Sequence, residues 1–161
     1  MNLRARDIMS HPVISIVEDR TVRDLIALLH EKRFSGVPVV AEDGRLSGVI
    51  TLTDLLAIDP DEATAQGAES SDFHSSPAMD GLSGAAEMFS PAEEVLEHPV
   101  RDIMSRSVIT SPDDATIGAV ADVMVSNRIH RVLIVRNGEL AGIISVMDIL
   151  IALRDKEATR D

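Results

Sequence analysis

The 161-residue chain contains no cysteine, tryptophan or tyrosine, and its only aromatic rings besides histidine are Phe34, Phe73 and Phe89. Without cysteine there is no disulfide, no thiolate nucleophile and no cysteine-held zinc or iron–sulfur cluster. So few aromatics exclude a stacking platform for single-stranded nucleic acid. Basic residues are outnumbered, 15 against 27 acidic, for a net charge of −12, which repels a polymeric phosphate backbone. No run of 18 apolar residues is present, so no transmembrane helix is expected. The first twelve residues lack the apolar stretch of a signal peptide. A cytoplasmic chain without nucleic-acid or membrane partners is expected. His11, His30, His74 and His98 have no metal-ligand spacing, and neither a phosphate-binding G-x-x-x-x-G-K-S/T loop nor a G-x-S-x-G elbow occurs. No metal, catalytic set or enzyme activity is therefore expected. What the chain does have is 45% hydrophobic residues, enough for a packed core.

It also repeats itself. Arg6-Asp7-Ile8-Met9-Ser10 recurs unchanged as Arg101-Asp102-Ile103-Met104-Ser105, an offset of 95. In the same register Val13, Ile14, Asp19, Thr21, Arg33, Val37 and Val40 meet Val108, Ile109, Asp114, Thr116, Arg128, Val132 and Val135. One residue is then lost in a turn. At offset 94, Gly44, Leu46, Gly48, Ile50, Asp54 and Leu56 match Gly138, Leu140, Gly142, Ile144, Asp148 and Leu150. The chain therefore divides into a first repeat (1–58), an insert (59–97) and a second repeat (98–161). Each repeat is too small to bury a comfortable core alone, so two are expected to pack as one pseudo-two-fold pair.

Within a repeat, the β-branched run Val13–Val17 predicts a strand. Thr21 with Asp24 resembles a capping box, and Val22, Leu25, Ile26 and Leu29 share one helical face, predicting a helix over 21–33. Val37–Ala41 and Leu46–Ile50 predict two strands around an Asp43-Gly44 turn, with Asn137-Gly138 in the same role later. A second helix is predicted from Thr51 or Leu52 to about Ile58, and its counterpart runs through Leu153 towards Arg154. The fold class is α/β of the α+β type, β-α-β-β-α twice. Asp113-Asp114 is expected to start a helix. Met9, Met104 and Met124 are expected to fill core or interface.

The insert carries ten acidic residues and no Lys or Arg, so the rest of the chain is nearly neutral. Its Gly, Ser, Ala and Pro content predicts a partly mobile linker over 60–78, with one or two helical turns within 84–96.

Two patterns carry chemistry. Gly48-Val49-Ile50-Thr51-Leu52-Thr53-Asp54 and Gly142-Ile143-Ile144-Ser145-Val146-Met147-Asp148 each place a hydroxyl and an acid three residues apart where a strand meets a helix. Such a pair caps the helix, and the same carboxylate can accept bonds from vicinal ribose hydroxyls. The second repeat also gathers Arg128, His130 and Arg131, suited to phosphate, where the first has Arg33, Ser35 and Gly36. Any anion site is therefore expected to be asymmetric.

These motifs together resemble a tandem pair of CBS domains, a Bateman module named through cystathionine beta-synthase. Ile129-His130-Arg131 is similar to nucleotide-contacting segments in the gamma subunit of AMP-activated protein kinase. The resemblance implies a regulatory, non-catalytic module binding an adenosine-containing ligand (AMP, ADP, ATP or S-adenosylmethionine) in the cleft between the repeats, with no obligatory cofactor. It implies that Thr51, Asp54, Ser145 and Asp148 hold ribose, that Arg128, His130 and Arg131 meet phosphates, and that Ser15, Val37, Pro38, Thr110 and Val132 enclose the base. It further implies a homodimer through the helices, a regulated protein partner, and ligand-independent association as the alternative role. Leu133 stands where the first repeat keeps Pro38, the residue common in the family.

Overall fold

The computed structural model describes residues 3–58, 73–74 and 92–158. The elements in chain order are α1 (Ala5–Ile8), β1 (Ile16–Val17), α2 (Val22–Lys32), β2 (Gly36–Val40), β3 (Leu46–Thr51), α3 (Leu52–Leu56) and α4 (Glu93–Leu96). After a 3-10 turn (Val100–Asp102) come β4 (Thr110–Pro112), α5 (Ile117–Asn127), β5 (Arg131–Arg136), β6 (Glu139–Ser145) and α6 (Val146–Ala158). The expected β-α-β-β-α order is present twice. Each repeat has a three-stranded sheet in the order β1-β2-β3 or β4-β5-β6, parallel in the first pairing and antiparallel in the second.

Local chemistry explains the boundaries. Thr21 caps α2: the Asp24 N–H donates to its hydroxyl at 3.2 Å, and its own N–H donates to the Asp24 carboxylate at 3.3 Å. Val22, Leu25 and Leu29 turn inward, one stripe of the helix. Thr116 caps α5 through its hydroxyl alone, accepting from Ala119 N–H at 3.2 Å. Both helices end on an arginine in left-handed conformation, Arg33 (φ 57°) and Arg128 (φ 55°). The β5–β6 turn has Asn137 and Gly138 both at positive φ, the geometry that suits a two-residue hairpin.

Some expectations need correction. Only Ile16 and Val17 of the Val13–Val17 run form strand, because only they face β2 residues, Val39 and Val40. Asp113-Asp114 starts no helix: Asp113 receives the Arg136 guanidinium at 2.7 Å, and α5 begins three residues after Asp114. α6 extends past Arg154 to Ala158. Of the helical turns expected in 84–96, Glu93–Leu96 is found, while 84–91 lies outside the described residues, as does 60–78 apart from the helical pair Phe73 and His74.

The chain forms two compact units, and their membership is not that of the sequence repeats. The first unit is 14–108; the second combines 1–13 with 109–161. The recurring entry segment of each repeat docks on the strands and helix of the other. In the second unit, Ile117 N–H donates to Leu3 O at 3.2 Å, Ala5 N–H to Ala115 O at 2.8 Å and Arg6 N–H to Asp113 O at 2.9 Å. Ser10 and Ile143 exchange bonds of 2.9 and 3.1 Å. In the first unit every one of these has its counterpart: Val22 to His98 (2.9 Å), Val100 to Arg20 (2.8 Å), Arg101 to Glu18 (3.0 Å), and Ser105 with Val49 (2.9 Å in both directions). The docking places one bridge on the outer edge of β3, at Val49, and one on that of β6, at Ile143.

It also completes the cores. Val100, Ile103 and Met104 pack with Val22, Leu25, Leu29, Val37, Val39 and Ile50 in the first unit. Ala5, Ile8 and Met9 pack with Val120, Met124, Val132, Ile134 and Ile144 in the second. The methionines lie on glycines. A Cβ on Gly142 would stand 2.4 Å from the Met9 sulfur, and one on Gly48 would stand 2.4 Å from the Ser105 carbonyl oxygen and 3.0 Å from the Met104 sulfur. The glycine that opens each Gly-h-h-Thr/Ser-x-x-Asp motif is thus the floor on which the other repeat's entry rests.

Candidate functional site

In the second unit β4 and β5 begin, and β6 ends, along one edge of the sheet. Across that edge Arg131 pairs with Ser145, Val132 with Ile144, and Thr110 with Leu133. Directly after Ser145 the chain turns into α6. The Asp148 N–H donates to the Ser145 hydroxyl oxygen at 3.3 Å. In return one carboxylate oxygen of Asp148, Oδ2, accepts both the Ser145 N–H and its hydroxyl, each at 2.7 Å. The other oxygen, Oδ1, has no hydrogen bond to a described residue. Asp148 and Ser145 are half-buried. The loop preceding β5 is fastened to the same helix start, because the Val146 N–H donates to His130 O at 2.9 Å. Backbone bonding therefore brings His130 and Arg131 to the edge where Ser145 and Asp148 lie. His130 is exposed and Arg131 half-buried.

The first unit builds the same edge from different side chains. Thr51 caps α3, with Asp54 Oδ2 accepting its N–H at 2.7 Å and its hydroxyl at 2.9 Å, and Asp54 N–H donating back at 3.3 Å. Leu52 N–H donates to Ser35 O at 2.8 Å, the counterpart of the Val146–His130 bond. Here, however, Thr51 and Asp54 are 7% and 8% exposed, so both are buried. Opposite Thr51 stands Gly36, and a Cβ on Gly36 would lie 2.9 Å from both Ile50 O and the Thr51 methyl. No side chain fits there without a backbone shift, so this edge has no room for a counterpart of Arg131.

The sequence-derived residues thus fall into two groups, one per unit. Ser15, Val37, Pro38, Thr51 and Asp54 belong to the first, and Thr110, Arg128, His130, Arg131, Val132, Ser145 and Asp148 to the second. Ser15 is half-buried just before β1, and Thr110 is exposed at the start of β4. Val37 and Val132, 1% and 0% exposed, send their side chains into the cores and leave only backbone to face a ligand; Pro38 is likewise buried. Arg128 has a structural duty as the left-handed end of α5, where its N–H donates to Val125 O at 3.2 Å. The motif reading missed Gly36, whose size excludes a cation, and the Gly142–Met9 contact; the recurrence of glycine at 48 and 142 was the available signal. Among the described residues no cluster of three His, Asp or Glu is arranged for a metal ion.

Comparison with known proteins agrees with this architecture. The family model for the CBS domain matches residues 5–61 and 100–155. The chain belongs to the CBS-domain family. Protein MJ1426 of Methanocaldococcus jannaschii is 32% identical over 92% of this chain and 89% of its own length. Inosine-5'-monophosphate dehydrogenase of the same organism is 26% identical over 98% of this chain, which spans only 25% of that enzyme. Among solved structures, CBSX2 in complex with AMP has a TM-score of 0.64 at 21% identity, covering 96% of this chain and 98% of that one. The CBS domain pair of protein MJ0100, in complex with 5-methylthioadenosine and S-adenosyl-L-methionine, has a TM-score of 0.59 at 22% identity, with coverage of 97% and 99%. At these identities the likeness is one of fold. No helix among the described residues is long and apolar enough to cross a membrane.

Proposed function

We propose that this chain is a cytoplasmic, non-catalytic regulatory module that binds an adenosine-containing ligand of the AMP, ADP or ATP class, S-adenosylmethionine being the variant without phosphate. The ligand engages the sheet edge of the second unit. The observation that carries the reading is the Arg131–Ser145 pairing beside an Asp148 whose Oδ1 makes no hydrogen bond to a described residue. A carboxylate oxygen held in place by a capping box is preorganised to accept ribose hydroxyls. The residue paired with Ser145 is an arginine, whose guanidinium suits phosphate because it can grip it with two parallel bonds. Arg128 and His130 stand nearby as further donors, and backbone at Thr110 and Val132 is suited to the base. The solved CBS pairs with AMP and with S-adenosylmethionine add support by fold.

The test is calorimetric titration of nucleotide-free protein with AMP, ADP, ATP and S-adenosylmethionine. Losing a charge-assisted bond costs about 1.5–3 kcal/mol, so Asp148→Ala and Arg131→Ala should each weaken binding by roughly 10- to 100-fold. No heat from any of these compounds would sink the proposal.

A second reading, association with another copy through helices, is favoured by α6. Met147, Leu150, Ile151 and Leu153 are 62%, 53%, 42% and 51% exposed, an apolar surface larger than solvent-facing helices ordinarily carry. Sedimentation of the wild type against Leu150→Glu distinguishes a ligand-free homodimer from a monomer.

A further inference from the structure

In the first unit the short helix α4 lies on α2 beside the docked entry segment. Arg23 clamps it: Nε and one terminal nitrogen donate to Glu97 Oε1 at 3.0 and 2.8 Å, and the latter also reaches Glu93 Oε2 at 3.2 Å. The hydrogen bond to Glu97, followed by its negative charge, holds the Arg23 pKa above its ordinary value. Val95 and Leu96 pack against the core. The seat of this helical turn is marked by Thr21, Val22 and Arg23, with His98 O bonded to Val22 N–H at 2.9 Å.

By the repeat register, the same seat in the second unit is Thr116, Ile117 and Gly118, with Leu3 O bonded to Ile117 N–H at 3.2 Å. A cavity of about 310 Å³ lies there, lined also by Ala152, Leu153 and Lys156. Leu3, Ile117, Ala152 and Leu153 make the apolar part of its lining, and Lys156, which also lines it, is exposed and makes no ion pair with a described residue. Gly118 stands where the first unit has its clamping arginine, so among the described lining residues the side-chain cation is that of Lys156.

We propose that this groove docks an acidic, amphipathic helical turn presented by a partner protein, of the Glu-Glu-aliphatic-aliphatic kind that α4 offers the first unit. Two aliphatic side chains enter between Ile117 and Leu153, and the carboxylates face Lys156. The first unit supplies the precedent for the shape, and charge complementarity selects an acidic occupant over a basic one. The inference is independent of nucleotide binding, because it uses neither Arg131 nor Asp148.

The probe is a blocked peptide with the sequence of residues 90–98, titrated into the full ¹⁵N-labelled chain while amide shifts are followed. Shifts should centre on Leu3, Ile117, Gly118 and Leu153. Gly118→Arg restores the clamp and should tighten binding by about three- to fivefold, the gain of one exposed ion pair. A Cβ at Gly118 meets nothing nearer than Thr116 Oγ1 at 4.0 Å, so the substitution is tolerated, and the free variant's spectrum verifies it. Lys156→Glu should weaken the peptide by a similar factor, and a peptide with its glutamates changed to lysine should not bind. Shifts at Thr21–Arg23 instead, no gain from Gly118→Arg, or a groove that closes only through concentration-dependent pairing of two copies would each overturn the proposal.

Discussion

At the edge of the first unit's sheet Gly36 faces Thr51; at the edge of the second, Arg131 faces Ser145. Around these pairs the units are built alike, with the same docking bonds, the same carboxylate under the helix start and the same carbonyl holding the first helical amide. Their difference is one of access and charge. Thr51 and Asp54 are buried and their neighbouring position admits no side chain, whereas Ser145 and Asp148 are half-buried and the position paired with Ser145 is an arginine. A duplicated scaffold thus keeps the structural use of a motif in both copies while the surroundings of the motif diverge.

The largest stability difference should come from the glycines beneath the methionines. Gly48→Ala presses a Cβ into the Ser105 backbone carbonyl, which cannot retreat without breaking its bonds to Val49. Overpacking of that kind costs about 3 kcal/mol. Gly142→Ala meets mainly the Met9 side chain, whose thioether can rotate away, and should cost about 1 kcal/mol. Denaturant melts of the two variants give the comparison. Met9→Ala should relieve much of the Gly142→Ala penalty, and Met104→Ala little of that for Gly48→Ala. Equal penalties would show that the entry segments dock with the same slack in both units.

The helix ends offer a smaller contrast between structure and binding. Arg33 and Arg128 both hold left-handed backbone, which glycine adopts without strain. Arg33→Gly and Arg128→Gly should each raise stability by up to about 1 kcal/mol. If Arg128 serves phosphate as well, only Arg128→Gly weakens nucleotide binding; unchanged affinity would confine Arg128 to the helix end. Smallest is Arg23→Ala, which removes an exposed ion-pair cluster: the denaturation midpoint should move only slightly, and less still as salt is added.

Much of this architecture was legible in the residues. Periodicity and caps located α2 and its counterpart, and the Asp-Gly and Asn-Gly turns located both hairpins. The identity of Arg6–Ser10 with Arg101–Ser105 revealed the repeat yet concealed the exchange. Two identical segments fit two nearly identical grooves, so sequence carries no information about which docks where. β1 is shorter than its β-branched run suggests because such a run forms strand only where a partner strand is opposite, and β2 faces just Ile16 and Val17. At the candidate site the Thr/Ser-x-x-Asp motifs and the cations of the second repeat were readable. Their difference in burial was not, because it depends on the packing around each edge, and the exclusion of a cation at Gly36 needs the position of Ile50 O.

The central claim is that the two units divide the work, both capping a helix and one binding a nucleotide. Its most direct measurement is the stoichiometry of AMP on nucleotide-free protein by titration calorimetry, compared with Asp148→Ala and Asp54→Ala. The expected result is one nucleotide per chain, lost with Asp148→Ala and retained with Asp54→Ala. Two nucleotides per chain, or one that disappears with Asp54→Ala and survives Asp148→Ala, would contradict it.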